Sequence, residues 1–93
     1  MTKTDRLKVY EAIDSEREYQ DLIWNSKTTT SDGLHSFEEW YTYIEDYINE
    51  AQHYLSRMPK EDADMLAGQI MRKVAAMAVC AMEQHGVTNR EVG

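Results

Sequence analysis

The sequence predicts an all-α fold of three main helices, two of them paired in a long antiparallel hairpin. Three observations carry the prediction. Apolar residues from Phe37 to Leu55 recur at the three- and four-residue spacing of one helical face. Helix start and stop signals bracket this stretch and the one after it. The 93 residues contain only one proline and four glycines. A chain of this length is expected to make one domain, 1–93.

The first helix is expected from about Thr4 to Trp24, where Leu7, Tyr10, Ile13, Arg17, Leu22 and Trp24 outline a face. The charged run EREYQD interrupts that face, and a bend near Ser15 is expected. Residues 25–35, NSKTTTSDGLH, are polar and aperiodic and read as a long loop. The second helix, between Ser36 and Arg57, is the clearest element, with Phe37, Trp40, Tyr41, Ile44, Tyr47, Ile48, Ala51, Tyr54 and Leu55 along one face. It opens on S-x-x-E, a capping box in which Ser36 receives the Glu39 N–H and the Glu39 carboxylate reaches back. Arg57 suits its negative end. Pro59 fits the first turn of a third helix, with Glu61, Asp62 and Asp64 near its positive end. Leu66, Ile70, Val74, Met77, Ala78 and Ala81 form its stripe, and Gly86 is its stop. So short a connection between the second and third helices sets them antiparallel. Residues 87–93 read as a frayed tail.

Seventeen acids against ten Lys and Arg give a net charge of -7. With no basic block, counterion release cannot drive association, and general nucleic-acid binding is disfavoured. A DNA-mimicking role for the acidic surface stays open. The one cysteine, Cys80, lies in an apolar run and can form no intramolecular disulfide, as a reducing compartment permits. The start, MTKTDRLKVYEA, has no apolar h-region, and no stretch reads as long enough to span a bilayer, so a cytoplasmic location is expected. One core in so short a chain is marginal, and burying a further face against a second copy would add to it, so a homo-oligomer is expected.

Glu45, Asp46, Asn49 and Glu50 could offer oxygens to a hard cation such as Mg2+ from one side of the second helix, or could line its solvated face. If a metal is held at all, Glu45, Asp46 and Glu50 are its candidate ligands. The third helix brings no opposing carboxylates. Between Leu66 and Met82 its only charges are Arg72 and Lys73, which can neutralise a neighbouring helix's acids or hold the phosphates of a ligand. Cys80 among apolar neighbours and the scattered His35, His53 and His85 make no nucleophile–base arrangement, so no catalytic residue is assigned. Aromatic residues are numerous, two Trp and six Tyr, with Trp40, Tyr41, Tyr43, Tyr47 and Tyr54 on the second helix. Such rings stack on a nucleobase or fill an interface between helices. Tyr43 lies off the main stripe and must face solvent, a partner chain or a ligand.

EREYQDLIW, then HSFEEWYTYIEDYINEA and RKVAAMAVCAMEQHG, resemble the small MazG-like proteins of the all-α NTP pyrophosphohydrolase superfamily, particularly bacteriophage-encoded forms, from about residue 15 to residue 90. Members of that family form a helical bundle usually completed by oligomerisation. They bind Mg2+ through E-x-x-E on one helix and E-x-x-D on the next, and cleave a nucleoside triphosphate between its α and β phosphates. Aligned on this resemblance, Glu45 matches the leading acid, Asp46 the first motif Glu and Asn49 the second, while the acids of the second motif fall on Ile70 and Lys73. One ligand is thus an amide and two positions cannot hold a cation. The resemblance therefore implies a non-catalytic relative without a cofactor, in which Lys73 supplies the ion's charge and holds a phosphate without activating water.

The expected function is binding of a nucleotide or nucleotide-derived signal, with Arg72 and Lys73 near phosphate, Glu45, Asp46 and Asn49 at polar groups, and Tyr43 or Trp40 near the base. Sequestration of such a signal against host defence fits the phage-type resemblance. One alternative is an active Mg2+-dependent nucleoside triphosphate pyrophosphohydrolase using Glu45, Asp46, Glu50 and either Glu16 or Glu18. The other is an acidic protein-interaction module with no small-molecule site.

Overall fold

The computed structural model describes residues 2–24 and 35–91. These form three helices, α1 (Lys3–Ile23), α2 (Phe37–Arg57) and α3 (Lys60–His85), and no strand. The all-α expectation holds. Of the loop expected over 25–35 only His35 is among the described residues, and of the tail only 87–91, which carry no helix.

Backbone chemistry at the helix ends explains the boundaries. At the start of α2, the Ser36 hydroxyl accepts the Glu39 N–H at 3.1 Å and the Glu39 carboxylate accepts the Ser36 N–H at 3.0 Å, the capping box the sequence announced. The Ser36 backbone bond is the largest reason the Glu39 carboxyl sits below its usual range. A second box, missed in the sequence reading, opens α1: Thr2 Oγ1 accepts the Asp5 N–H at 3.1 Å and Asp5 Oδ2 accepts the Thr2 N–H at 3.2 Å. The T-K-T-D start carried that signal with an aspartate in place of glutamate. α1 consequently begins at Lys3, one residue before the expected Thr4, and Trp24 is its cap rather than its last residue.

The bend expected near Ser15 is absent. Ser15 Oγ donates to the Ala12 carbonyl at 2.6 Å within a continuous helix, so the hydroxyl is satisfied locally. Pro59 also sits one position earlier than expected. It is the extended N-cap of α3, its carbonyl accepting the Ala63 N–H at 2.9 Å, and not a first-turn residue. Gly86, with φ at 80°, ends α3 in a backbone region where a Cβ would be strained.

Trp40, near the start of α2, packs with Met77, Cys80 and Ala81 near the end of α3, and Phe37 stacks on His85 at 4.2 Å. Further along α2, Tyr47 meets Lys73. The order of these contacts makes the hairpin antiparallel. α1 packs on α3 and shares no helix-to-helix contact with α2 among the described residues. Glu16 reaches Arg72 while its neighbour Arg17 reaches Glu83, so α1 lies across α3 instead of along it. Its contact face is Glu16, Arg17 and Gln20, the polar run that appeared to break the apolar stripe. Residues 2–12 of α1 are all exposed and form an arm beyond the hairpin. The Cα radius of gyration, 15.0 Å, accordingly exceeds the roughly 12 Å of a compact domain of this length.

α3 also carries an 18-residue stretch of mean hydropathy 1.3, long and apolar enough by length and composition to cross a membrane, contrary to the sequence reading, with 28% of it buried. Arg72 and Lys73 lie within it, two charges that a bilayer interior would penalise.

Candidate functional site

A cavity of about 520 Å³ is lined by Trp24, His35, Trp40, Tyr43, Asp46, Tyr47 and Met77. Its volume falls in the range of small-molecule pockets. Helical spacing builds most of it: positions 40, 43 and 47 lie on neighbouring turns of α2 and point three rings the same way. Met77 comes from α3. Trp24, which caps α1, and His35, just before α2, bring in rings from the two sides of the loop.

The rings hold one another edge to face. His35 meets Trp40 at 5.4 Å and Tyr43 at 5.5 Å between centroids, Trp40 meets Tyr43 at 6.1 Å, and Trp24 tilts against Trp40 at 6.3 Å. These are favoured aromatic geometries. Trp40, only 2% exposed, is anchored by its indole N–H, which donates to Gln84 Oε1 at 3.0 Å. His35 is fixed from behind, since its carbonyl accepts the His85 Nε2–H at 2.7 Å. Tyr43 at 38% exposure forms an accessible rim. Asp46 brings a carboxylate to the lining and takes no hydrogen bond or ion pair among the described residues. Lys73 Nζ stands 5.7 Å from the Tyr47 ring centroid and sets a positive charge beside that ring.

The residues singled out from sequence separate in space. Trp40, Tyr43 and Asp46 line the cavity, and Lys73 lies against the ring of Tyr47, another lining residue. Glu45 and Asn49 are exposed and lie outside the lining. Arg72 Nε donates to Glu16 Oε1 at 2.7 Å, joining α3 to α1. Glu50 accepts the Tyr54 hydroxyl at 2.8 Å, which raises the Tyr54 pKa. Among the described residues no three His, Cys, Asp or Glu side chains converge as a metal group.

Trp24, His35, Tyr47 and Met77 were not read as site residues. Tyr47 and Met77 sit on the apolar stripes and looked like core. Trp24 and His35 are separated by the loop in sequence and carry no spacing signal. Cys80 is 1% exposed, and burial pushes its thiol pKa up, so it is held as a neutral packing group. Gln20 donates to the Lys73 carbonyl at 3.3 Å, while its buried Oε1 has no partner among the described residues.

A comparison with protein-family profiles, characterised proteins and solved structures finds no match for this chain.

Proposed function

We propose that the chain binds a nucleotide or nucleotide-derived small molecule in the aromatic cavity and holds it without converting it. The observation that carries this reading is a cavity lined by four aromatic side chains of Trp and Tyr and by a carboxylate unpaired among the described residues, with an ammonium against the Tyr47 ring. A nucleobase offers flat faces for Trp24 and Trp40 and ring or exocyclic N–H groups for Asp46. Its phosphate is met by Lys73. A purely cationic ligand would suit the rings and Asp46 but would be repelled by Lys73, which favours a ligand with a negative end.

The resemblance to MazG-like proteins supports the same ligand class, and the amide at Asn49 and the cation at Lys73 support retention over hydrolysis. No nucleophile or metal-ligand cluster faces the cavity among the described residues. On this reading the protein works in the cytoplasm of a phage-infected host, withholding a nucleotide signal from its receptor.

Both tryptophans of the chain line the cavity, so intrinsic fluorescence reads occupancy directly. Titration with NTPs, dNTPs and cyclic oligonucleotides, with and without Mg2+, should quench emission and raise the melting temperature without metal. Asp46→Ala and Tyr43→Ala, both at exposed positions, should weaken binding by tenfold or more on the scale of a lost buried contact while leaving helix content intact. Pyrophosphate release that requires Mg2+ would replace this reading with the hydrolase. Unchanged fluorescence and melting with every nucleotide would leave the protein-interaction module.

A further inference from the structure

We infer that the amino-terminal arm of α1 docks into a groove on the α2–α3 hairpin of a second copy of this chain. The arm is residues 2–12, every one of which is exposed in its own chain. On it Leu7 and Tyr10 are 51% and 57% exposed and share a face with Lys3 and Arg6 by their three- and four-residue spacing. This leaves an apolar pair exposed on one face of the helix.

The groove lies on the hairpin side away from α1. Tyr41, Ile48 and Leu55 repeat every seventh residue along α2, flanking the buried Trp40–Tyr47 line on the side opposite Tyr43 and Asp46. From α3, Met71 and Met82 flank the buried Met77 on the side opposite the α1 contacts. Because the two helices are antiparallel, these flanks adjoin on one side of the hairpin. Tyr41 and Met71 are each 70% exposed, and Ile48, Leu55 and Met82 are between 38% and 50% exposed. Two helices presenting an open apolar seam accept a third helix by the same ridge-and-groove packing that joined them.

Charge selects the occupant. Over residues 2–12 the arm carries Lys3, Arg6 and Lys8 against Asp5 and Glu11, an excess of one positive charge on a chain whose net charge is -7. Along the groove's α2 rim stand Glu38 and Glu45, which make no ion pair among the described residues. The chain's basic segment thus matches its own acidic groove. The arm cannot fold back onto that groove, because α1 is a continuous helix pinned across the far side of α3 through Arg17, Gln20 and Arg72. A second molecule can reach it, and reciprocal exchange of arms closes a symmetric pair. A stable interface takes about 800 Å² from each partner, about a tenth of the 7335 Å² of surface present. The aromatic cavity opens on the other side of the hairpin, so pairing leaves it accessible and does not depend on the ligand proposed above.

The test uses the full chain in light scattering coupled to size exclusion, with helix content checked by circular dichroism. Wild type should elute at a multiple of the 10.9 kDa chain mass. Leu7→Asp in the arm and Met71→Asp in the groove alter exposed side chains and should each give a folded monomer. Mixing the two variants should restore a mixed pair, because each supplies the half the other lacks. High salt should weaken the wild-type assembly. A monomeric wild type would overturn the inference, as would either variant assembling like wild type. Two monomeric variants that fail to combine would place arm on arm and groove on groove, which also overturns it.

Discussion

Replacing Arg72 by methionine should destabilise the protein by about 2–3 kcal/mol, and the reason is its partner. Glu16 is only 7% exposed and sits 2.7 Å from the guanidinium. Removing one member of a fully buried pair costs about 3–5 kcal/mol because the other charge is stranded. The Arg72 side chain is 41% exposed, so water screens part of the interaction and the lower figure follows. The opposite deletion is gentler: with Glu16→Gln, Arg72 turns to solvent, and a cost near 1 kcal/mol is expected. The double variant Glu16→Met, Arg72→Met should be more stable than Arg72→Met alone, since no charge is left buried. Urea denaturation measures all three, with the midpoint moving and the slope unchanged. For 93 residues each kcal/mol is worth about 5 °C in melting temperature, so Arg72→Met should melt about 10–15 °C lower. Nucleotide quenching should persist in that variant at temperatures where it is folded. Unchanged stability together with lost binding would refute the reasoning, because Arg72 would then serve a ligand phosphate and not Glu16.

Further outcomes follow from single groups. The Glu39 carboxyl is lowered from its ordinary 4.5 mainly by the Ser36 backbone bond, so its contribution is full above that value and disappears as pH falls through the lower folded pKa; the stability gap between wild type and Glu39→Ala should therefore close on acidification, and a gap independent of pH would contradict this. Cys80, buried and with its thiol pKa raised, should react with thiol reagents only as fast as the protein unfolds, which mass spectrometry after timed labelling will show. Gln20→Leu removes the orphaned Oε1 along with one long 3.3 Å bond, and should leave stability unchanged or raise it by about 1 kcal/mol in urea denaturation.

The hairpin was legible because its cause is local. The S-x-x-E box, the three- and four-residue recurrence of apolar residues and the Pro59 and Gly86 punctuation act within a few residues, and the structure departs from them by a single position at Pro59. α1 was misread because its packing is polar. EREYQD looked like an interruption, yet Glu16, Arg17 and Gln20 are the side chains that touch α3, and no periodicity of apolar residues can show an interface made of ion pairs. The same limit applies to the cavity. Trp40, Tyr43 and Asp46 could be nominated from their places on α2, but Trp24 joins them through the long-range packing of α1 and His35 from just ahead of the α2 cap, and an aromatic residue on a stripe looks the same whether it borders a void or fills one. Arg72 and Lys73, adjacent in sequence, point to different neighbours because successive helical positions are about 100° apart.

This division of labour sets an order of local stability. The hairpin is closed by Trp40, Met77, Cys80 and Ala81 with Trp24, Ile44 and Tyr47 packed on them, an apolar contact that water cannot replace. α1 is held by Arg17–Glu83 at 3.0 Å, Glu16–Arg72 at 2.7 Å and the Gln20 bond to the Lys73 carbonyl, groups that recover hydration when they separate. The net worth of such contacts is smaller, so α1 should open before the hairpin does. Native-state hydrogen exchange should find residues 3–12 exchanging fastest, residues 13–23 next, and the α2–α3 contact residues slowest, with α1 protection falling as salt is added. Opening α1 carries Trp24 away while Trp40, Tyr43 and Tyr47 stay together on α2, so a ligand that spans both tryptophans should slow exchange in α1 more than in α2. Equal protection of α1 and α3 in the free protein would show that the polar contacts bind as firmly as the apolar core, and that the cavity is a fixed feature of the fold without a separable wall.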